Sequence, residues 1–191
     1  MPINSQDVHF SPLHAMTLRI HGIPASRAIR PLWVATELGL NFDHVMTDYK
    51  GGHTRTPEFL ALNPNGHIPV LTDDTPAGAV VVWESMACTL YIAKAHGRGD
   101  GSDLSCANLK EEGEALRWAF WSMTELEKDA LIVLMHRMAM PEADRKADLA
   151  EAAEGRLRVP LRVLESALND QAARGQDHLC AHRFTVADLC V

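Results

Sequence analysis

Hydrophobic positions in the first half of the chain alternate between the two-residue period of a strand and the wider period of a helix. Ile29, Leu32, Trp33 and Leu38 recur at helical spacing, and Gly39 follows as a helix stop. The pattern predicts a strand at 17–20, a helix at 27–38, a strand at 42–47, a helical turn at 56–62, strands at 70–72 and 79–83 joined by a loop at 73–78, and a helix at 85–96. A thioredoxin-like domain requires this order of elements.

The second half carries long helical patterns and no strand pattern. Helices are predicted at 109–140 and 142–174, and Pro160 is expected to kink or break the second one because proline removes a main-chain hydrogen bond. The Gly-, Ser- and Asp-rich stretch 97–108 is predicted to be a linker. The chain therefore divides into a flexible extension (1–15), a thioredoxin-like domain (16–96), the linker (97–108) and an all-helical domain (109–191).

Composition excludes several classes of partner. The 191 residues include 18 Lys plus Arg against 25 Asp plus Glu, and the net charge of -7 argues against nucleic acid and anionic lipid. No apolar run approaches the roughly 20 residues that a membrane span needs. The cysteines have neither C-x-x-C spacing nor histidines clustered at metal-ligand spacing, which predicts reduced thiols in the cytosol and no metal site. They are Cys88, Cys106, Cys180 and Cys190.

An Ile68-Pro69 bond opens the predicted strand at 70–72. Proline supplies no N–H to a sheet, and an X-Pro bond is cis far more readily than any other peptide bond. A cis bond here would turn the main-chain groups of Ile68 toward an extended peptide ligand. Glu84 and Ser85 begin the next helix, where free N–H groups and the positive end of the helix dipole favour a carboxylate. Together these segments predict a pocket for a small peptide with an ionised end.

Four motifs resemble the cytosolic glutathione transferase family, and the resemblance runs from about Thr17 to the last residue. The motifs are EFLALNPNG at 58–66, IPVL at 68–71, WESMA at 83–87 and FTVAD at 184–188. The resemblance implies an α/β thioredoxin-like N-terminal domain, an all-α C-terminal domain, a cytoplasmic homodimer, and glutathione as co-substrate with a small, mostly apolar electrophile. Relative to the family, the helical domain looks truncated at its C-terminus, because the chain ends three residues after Asp188.

Ser26 is the candidate catalytic residue. It stands where the first strand ends and the first helix begins, and it resembles the catalytic serine of the serine-type, bacterial-like members, whose hydroxyl donates to the glutathione sulfur. Lowering the pKa of a thiol from about 8.5 by roughly two units takes about 2.7 kcal/mol. The competing interpretation is that Ser26 only caps the helix. Pro31 is a departure from the pattern, because inside a helix capped by Ser26 it would remove a hydrogen bond.

The remaining candidates would bind the rest of the tripeptide. His67 is the first choice for the glycine carboxylate and His53 the second, although both could be solvated loop histidines. The main chain of Ile68 would pair with the middle of the peptide. Ser85 would hold the other carboxylate and Glu84, as a buried acid, the amino group, unless the two serve only as a helix cap.

Other functions on the same fold stay open. No tyrosine or cysteine lies between residues 1 and 40, which argues against tyrosine-type activation and against a thiol reductase. The first alternative is a non-catalytic binding or regulatory protein, because a fold does not imply an activity. The second is a glutathione-dependent peroxidase, dehalogenase or isomerase.

Overall fold

A computed structural model describes residues 17–191 and shows two compact units. The predicted extension at 1–15 lies outside the described residues. The first unit contains residues 17–29 and 41–85, and the second contains 30–40 and 86–191. These units differ from the predicted domains because helix residues 30–40 and 86–96 fall in the second unit. The division into domains at 16–96 and 109–191 therefore stays a prediction.

A four-stranded mixed sheet forms the first unit, with strand order β2-β1-β3-β4. β1 (Leu18–His21) runs parallel to β2 (Asp43–Val45) and antiparallel to β3 (Val70–Thr75), which pairs with β4 (Gly78–Trp83). Apolar side chains from β1 and β3 are fully buried and form the core of the unit: Leu18, Ile20, Val70 and Leu71. The four predicted strands are all present.

The hairpin between β3 and β4 is tighter than the sequence predicts. The expected loop at 73–78 is wrong, because Asp73, Asp74 and Thr75 extend β3 and Thr75 pairs with Gly78. The Thr75 hydroxyl donates to the Gly78 carbonyl at 2.7 Å and accepts from the Ala77 N–H at 3.2 Å. These side-chain bonds close a two-residue turn, so the polar residues before it can remain in the strand.

Residues 17–96 contain three α-helices: α1 (Ile29–Glu37), α2 (Pro57–Leu62) and α3 (Ser85–His96). A short 3-10 turn at His53–Arg55 precedes α2, whose first turn is capped by the Thr56 hydroxyl. The expected cost of Pro31 is absent. α1 begins at Ile29, so Pro31 lies in the first turn, where main-chain N–H groups have no helical partner in any case.

The second unit is helical. Its further helices are α4 (Leu109–Trp121), α5 (Glu127–Leu134), α6 (Ala147–Ala172) and α7 (Val186–Leu189). Single π-helical turns at Ser122–Leu126 and Met135–Ala139 extend α4 and α5, and a 3-10 turn at Glu142–Asp144 precedes α6. Pro160 does not break its helix: it lies inside α6, which is continuous over all 26 residues from Ala147 to Ala172. Thr185 and Asp188 form the predicted capping box of α7.

Candidate functional site

The register of the sheet brings the predicted site segments to one edge. His21, the last residue of β1, pairs with Val70, the first residue of β3. Val70 in turn pairs with Trp83, the last residue of β4. The chain after β1, the chain before β3 and the chain after β4 therefore meet at the same edge. Ser26, Ile68 and the Glu84-Ser85 pair follow or precede those strand ends by a few residues.

Gly22 allows a close approach of two segments at this edge. Its φ of 148° lies in the region that favours glycine. A Cβ added here would lie 2.6 Å from the Ala28 Cβ and 3.5 Å from the Ile68 Cβ. Since Ala28 ends the turn that carries Ser26, Ile68 lies directly beside that turn. Gly22 is also held by its N–H, which donates to the Val45 carbonyl at 3.0 Å, and by its carbonyl, which accepts from His44 Nε2 at 2.8 Å.

Ser26 is half-buried and already engaged on both sides. Its Oγ donates to the Ile23 carbonyl at 2.7 Å and accepts from the Ala28 N–H at 3.1 Å. The Ser26 carbonyl accepts from the Ile29 N–H, at the first residue of α1. The residue therefore does support the start of the helix, as the capping interpretation expects. Its hydroxyl proton would have to leave the Ile23 carbonyl before it could be donated to a ligand.

Ile68 presents main-chain groups that the described residues leave unpaired. The Ile68-Pro69 bond is cis, as predicted, and Pro69 is buried while Ile68 is half-exposed. Within residues 17–191, neither the N–H nor the carbonyl of Ile68 has a hydrogen-bond partner. An extended peptide could therefore pair with both groups without displacing a protein contact.

Glu84 and Ser85 differ in burial. Ser85 begins α3 and is 3% exposed. Glu84 has a φ of 73°, the only positive value among non-glycine residues at 17–191, and its side chain is exposed. The expectation of a buried acid is therefore wrong for Glu84. The backbone conformation turns the chain sharply from β4 into α3, which leaves the carboxylate on the surface beside the helix N-terminus.

The two candidate histidines are both exposed. His53 begins the 3-10 turn before α2, and His67 directly precedes Ile68. Arg55, from the same turn as His53, donates through Nη1 to the Asn65 carbonyl at 3.2 Å. A Cβ at Gly66 would lie 2.6 Å from that same nitrogen, so the His53–Arg55 turn lies against the loop that carries His67. No contact joins either histidine directly to Ser26 among the described residues.

Two residues at this edge were missed by the sequence analysis. Asn63 is 1% exposed and bonds to the loop before Ile68. His21 is half-buried, and burial, with a smaller contribution from Arg19, lowers its pKa. The Asn-Pro-Asn-Gly run was the available signal for Asn63, but it indicated only the end of a helix. His21 gave no signal, because one histidine in a strand pattern does not reveal its burial.

The cysteines of the second unit do not resemble activated nucleophiles. Burial raises the pKa of Cys106 to about 11 and that of Cys190 to about 12, and it also raises the pKa of Cys180. A catalytic thiol needs the opposite shift. No disulfide joins the described cysteines, and residues 17–191 contain no cluster of His, Cys, Asp and Glu side chains able to hold a metal ion. No described helix has the length and hydrophobicity that crossing a membrane requires.

Residues 16–94 match the family model for the glutathione S-transferase N-terminal domain. The chain is 29% identical to glutathione S-transferase F10 of Arabidopsis thaliana over 176 residues, which cover 91% of this chain and 77% of the relative. It is 33% identical to the protein URE2 of Eremothecium gossypii over 111 residues, which cover 58% of this chain and 31% of that protein. The chain thus spans about a third of the length of this URE2 relative.

Solved structures agree with the fold. The theta class glutathione S-transferase of Xanthomonas axonopodis pv. citri, with glutathione bound, aligns with a TM-score of 0.75 at 28% identity and covers 91% of this chain and 78% of its own. Ure2p in complex with glutathione aligns with a TM-score of 0.77 at 21% identity over 91% of this chain and 76% of its own, and this likeness shows the fold alone.

Residues 16–94 thus carry the N-terminal domain of the glutathione S-transferase family, and a relative and solved structures named as glutathione transferases match most of the chain. Its fold is the one predicted, a thioredoxin-like N-terminal part followed by a helical C-terminal part. Relatives with both kinds of name, glutathione S-transferase and URE2, match the chain. These matches therefore leave the activity of this chain to be argued from its own site.

Proposed function

We propose that the chain is a serine-type glutathione transferase that holds glutathione against Ile68. The observation that carries this proposal is the pair of unpartnered main-chain groups of Ile68, beside the turn that carries Ser26 and at the edge where α3 begins. A peptide that pairs with Ile68 gains hydrogen bonds at no cost to the protein's own. The bound structures of relatives, such as the theta class enzyme with glutathione, support the choice of this peptide.

The two ends of glutathione match the groups on either side of Ile68. The carboxylate of the γ-glutamyl end fits the N-terminus of α3 and the buried Ser85 hydroxyl. The exposed Glu84 carboxylate is within the same turn and would pair with the amino group. His67, and secondarily His53, would face the glycine carboxylate from the loop before Ile68. This places the cysteine of the ligand between them, toward Ser26.

Ser26 would stabilise the thiolate of bound glutathione. A charge-assisted hydrogen bond contributes about 1.5 to 3 kcal/mol, but Ser26 must give up its neutral bond to Ile23, which contributes about 1 kcal/mol. The N-terminus of α1 adds about 0.3 to 1 kcal/mol. The sum, about 0.8 to 3 kcal/mol, lowers the thiol pKa by roughly 0.6 to 2.2 units. From an ordinary value of about 8.5, this leaves between roughly a tenth and four-fifths of the thiol ionised at pH 7.

The thiolate would then attack an electrophilic carbon of a mostly apolar substrate. The sulfur forms a bond to that carbon, and the leaving group departs with the electron pair of the broken bond. Ser26 acts before this step, by keeping the sulfur deprotonated and oriented. The protein needs no covalent intermediate of its own for this reaction.

A second function, glutathione binding without conjugation in a regulatory protein, is favoured by two observations. The URE2 of Eremothecium gossypii matches 58% of the chain at 33% identity. The Ser26 hydroxyl is also engaged with Ile23 and Ala28, as a purely structural cap would be. Such a protein would bind glutathione and show no turnover.

Paired variants at position 26 distinguish these functions. We expect Ser26→Ala to lower kcat/KM for an aryl halide about 2- to 30-fold at neutral pH, because the hydrogen bond to the thiolate is lost, net of the bond to Ile23 that the serine gives up. Ser26→Thr keeps a hydroxyl and is the matched control, expected to retain most of the activity. Full activity in Ser26→Ala would remove Ser26 from the mechanism. Retention of the wild type on glutathione resin without any conjugation would establish the regulatory alternative.

We also propose that the chain forms a cytoplasmic homodimer, as the family resemblance implies. Each unit exposes large apolar side chains of the kind that an interface covers. In the first unit they include Val81 and Trp83 of β4, and in the second unit Leu116 and Phe120 of α4. Light scattering on the eluted protein is expected to give twice the mass of one chain, and the mass of a single chain would contradict the dimer.

A further inference from the structure

We infer that Asn63 is a positioning residue that aims the Ile68 N–H at the ligand. This inference rests on the proposed function, because it concerns how the same site holds glutathione. Asn63 is 1% exposed and follows the last residue of α2. Because its side chain is enclosed and bonds to Asn65 and His67, its effect on a ligand must pass through the main chain of the loop at 63–67.

Both main-chain groups of Asn63 anchor it to its own segment. Its N–H donates to the Phe59 carbonyl at 2.9 Å and its carbonyl accepts from the Gly66 N–H at 2.9 Å. These bonds end α2 and fix the turn that follows. These main-chain bonds alone hold Asn63 at a defined position beside the loop, independently of the bonds that its side-chain amide makes.

The two ends of the amide then bond to two different residues of the loop. Oδ1 accepts from the Asn65 N–H at 3.0 Å, and Nδ2 donates to the His67 carbonyl at 2.8 Å. Each atom meets a group of the opposite kind, which only an amide can provide at this place. A carboxylate of the same shape has no N–H for the His67 carbonyl, and a hydroxyl is too short to reach both residues.

The His67 carbonyl and the Ile68 N–H belong to the same peptide unit. That unit is trans and planar, so its carbonyl and its N–H point in opposite directions. Because the carbonyl is bonded inward to buried Asn63, the N–H is turned away from Asn63. Within residues 17–191 that N–H meets no acceptor, while the Ile68 residue itself is half-exposed. A single buried amide thus sets the direction of the donor on which the proposed site depends.

The test compares glutathione affinity and turnover in matched variants. Asn63→Asp keeps the acceptor for Asn65 and loses the donor for His67. We expect the dissociation constant for glutathione, measured by calorimetry at pH 7.5, to rise about tenfold, the effect of one misdirected hydrogen bond. We expect kcat at saturating glutathione to change less than twofold, because Ser26 is untouched. If Asn63→Asp does not fold, Asn63→Ser replaces it. Its side chain is neutral and too short to reach both Asn65 and His67, and we expect the same rise of about tenfold in the dissociation constant.

Thr56→Ala is the control for a general loosening of α2. The Thr56 hydroxyl accepts from the Phe59 N–H at 3.3 Å and has no bond to the His67 peptide. This variant should lower the melting temperature and leave the dissociation constant within twofold. Unchanged affinity in the Asn63 variants, or an equal loss of affinity in Thr56→Ala, would overturn the role of Asn63 and leave glutathione binding intact. A wild type that does not bind glutathione would overturn the proposed function and this inference with it.

Discussion

Short polar side chains at the sheet edge act mainly on the main chain. Asn63 and Ser26 each bond to two backbone groups, and both therefore shape a turn. Ser26 also keeps a half-exposed hydroxyl, which can exchange its Ile23 partner for a ligand. Asn63 is fully enclosed and cannot make such an exchange. The sequence indicated both a capping and a ligand-binding role for Ser26 and no role for Asn63. The burial that separates the two residues cannot be read from the sequence.

The burial of one residue, His21, should make the stability of the protein depend on pH. Burial lowers its pKa in the folded protein, so as the pH falls through the ordinary value of about 6.5 the unfolded chain takes up this proton first. The free energy of unfolding should therefore fall below pH 6.5 and level off below the folded pKa. Urea titrations between pH 5 and 8 measure it, and His21→Gln should flatten this part of the profile. A slope that His21→Gln leaves unchanged would assign the effect to another group.

At the scale of elements, the segment at 97–108 shows how an irregular stretch is held. It has no helix or strand, as predicted, but it packs within the second unit. Arg183 donates to the Asp103 carbonyl at 3.1 Å, to the Ser105 carbonyl at 2.8 Å and to the Glu111 carboxylate at 2.7 Å. The guanidinium also holds the pKa of Glu111 below its usual range. One arginine thus ties the segment to α4.

Removing Arg183 should destabilise the second unit. We expect Arg183→Met to lower the free energy of unfolding by about 2 to 4 kcal/mol, because two carbonyls and a partly buried carboxylate lose their donor. Arg156→Met is the control, since Arg156 is more exposed than Arg183 and its side chain is bonded to the Asp129 carboxylate, so a smaller loss is expected. Urea unfolding monitored by circular dichroism measures both variants. An equal decrease in the free energy of unfolding of the two variants would show that the contacts of Arg183 with the segment at 97–108 add no stability beyond that of a surface ion pair.

The element order was predictable and several element limits were not. Strands and helices of the first half follow from periodicity, because burial of one face imposes it. The extension of β3 through Asp73–Thr75 was not predictable, since it depends on the Thr75 hydroxyl bonds that close the turn. Pro160 was expected to kink or break α6, but the helix does not break there, so the one main-chain bond that proline removes is not enough to end it.

At the scale of the whole molecule, the sequence predicted that the segments around Ser26, Ile68 and Glu84 form one site, and the pairing of the strands shows how they come together. Ile68, Ser26 and the Glu84-Ser85 pair were selected from separate motifs, and the pairing of His21, Val70 and Trp83 places them at one edge. What could not be predicted was their burial. Glu84 is exposed where a buried acid was expected, and its positive φ, at the turn from β4 into α3, was not indicated by the sequence either.

The central claim is that a peptide thiol pairs with the unpartnered main chain of Ile68. A crystal structure of the protein soaked with glutathione tests it most directly. We predict that the ligand's main chain bonds to Ile68, that its γ-glutamyl carboxylate lies at the N-terminus of α3, and that its sulfur lies within about 3.5 Å of the Ser26 Oγ. Glutathione bound elsewhere, or bound with Ser26 still donating to Ile23 and the sulfur out of its reach, would contradict the account.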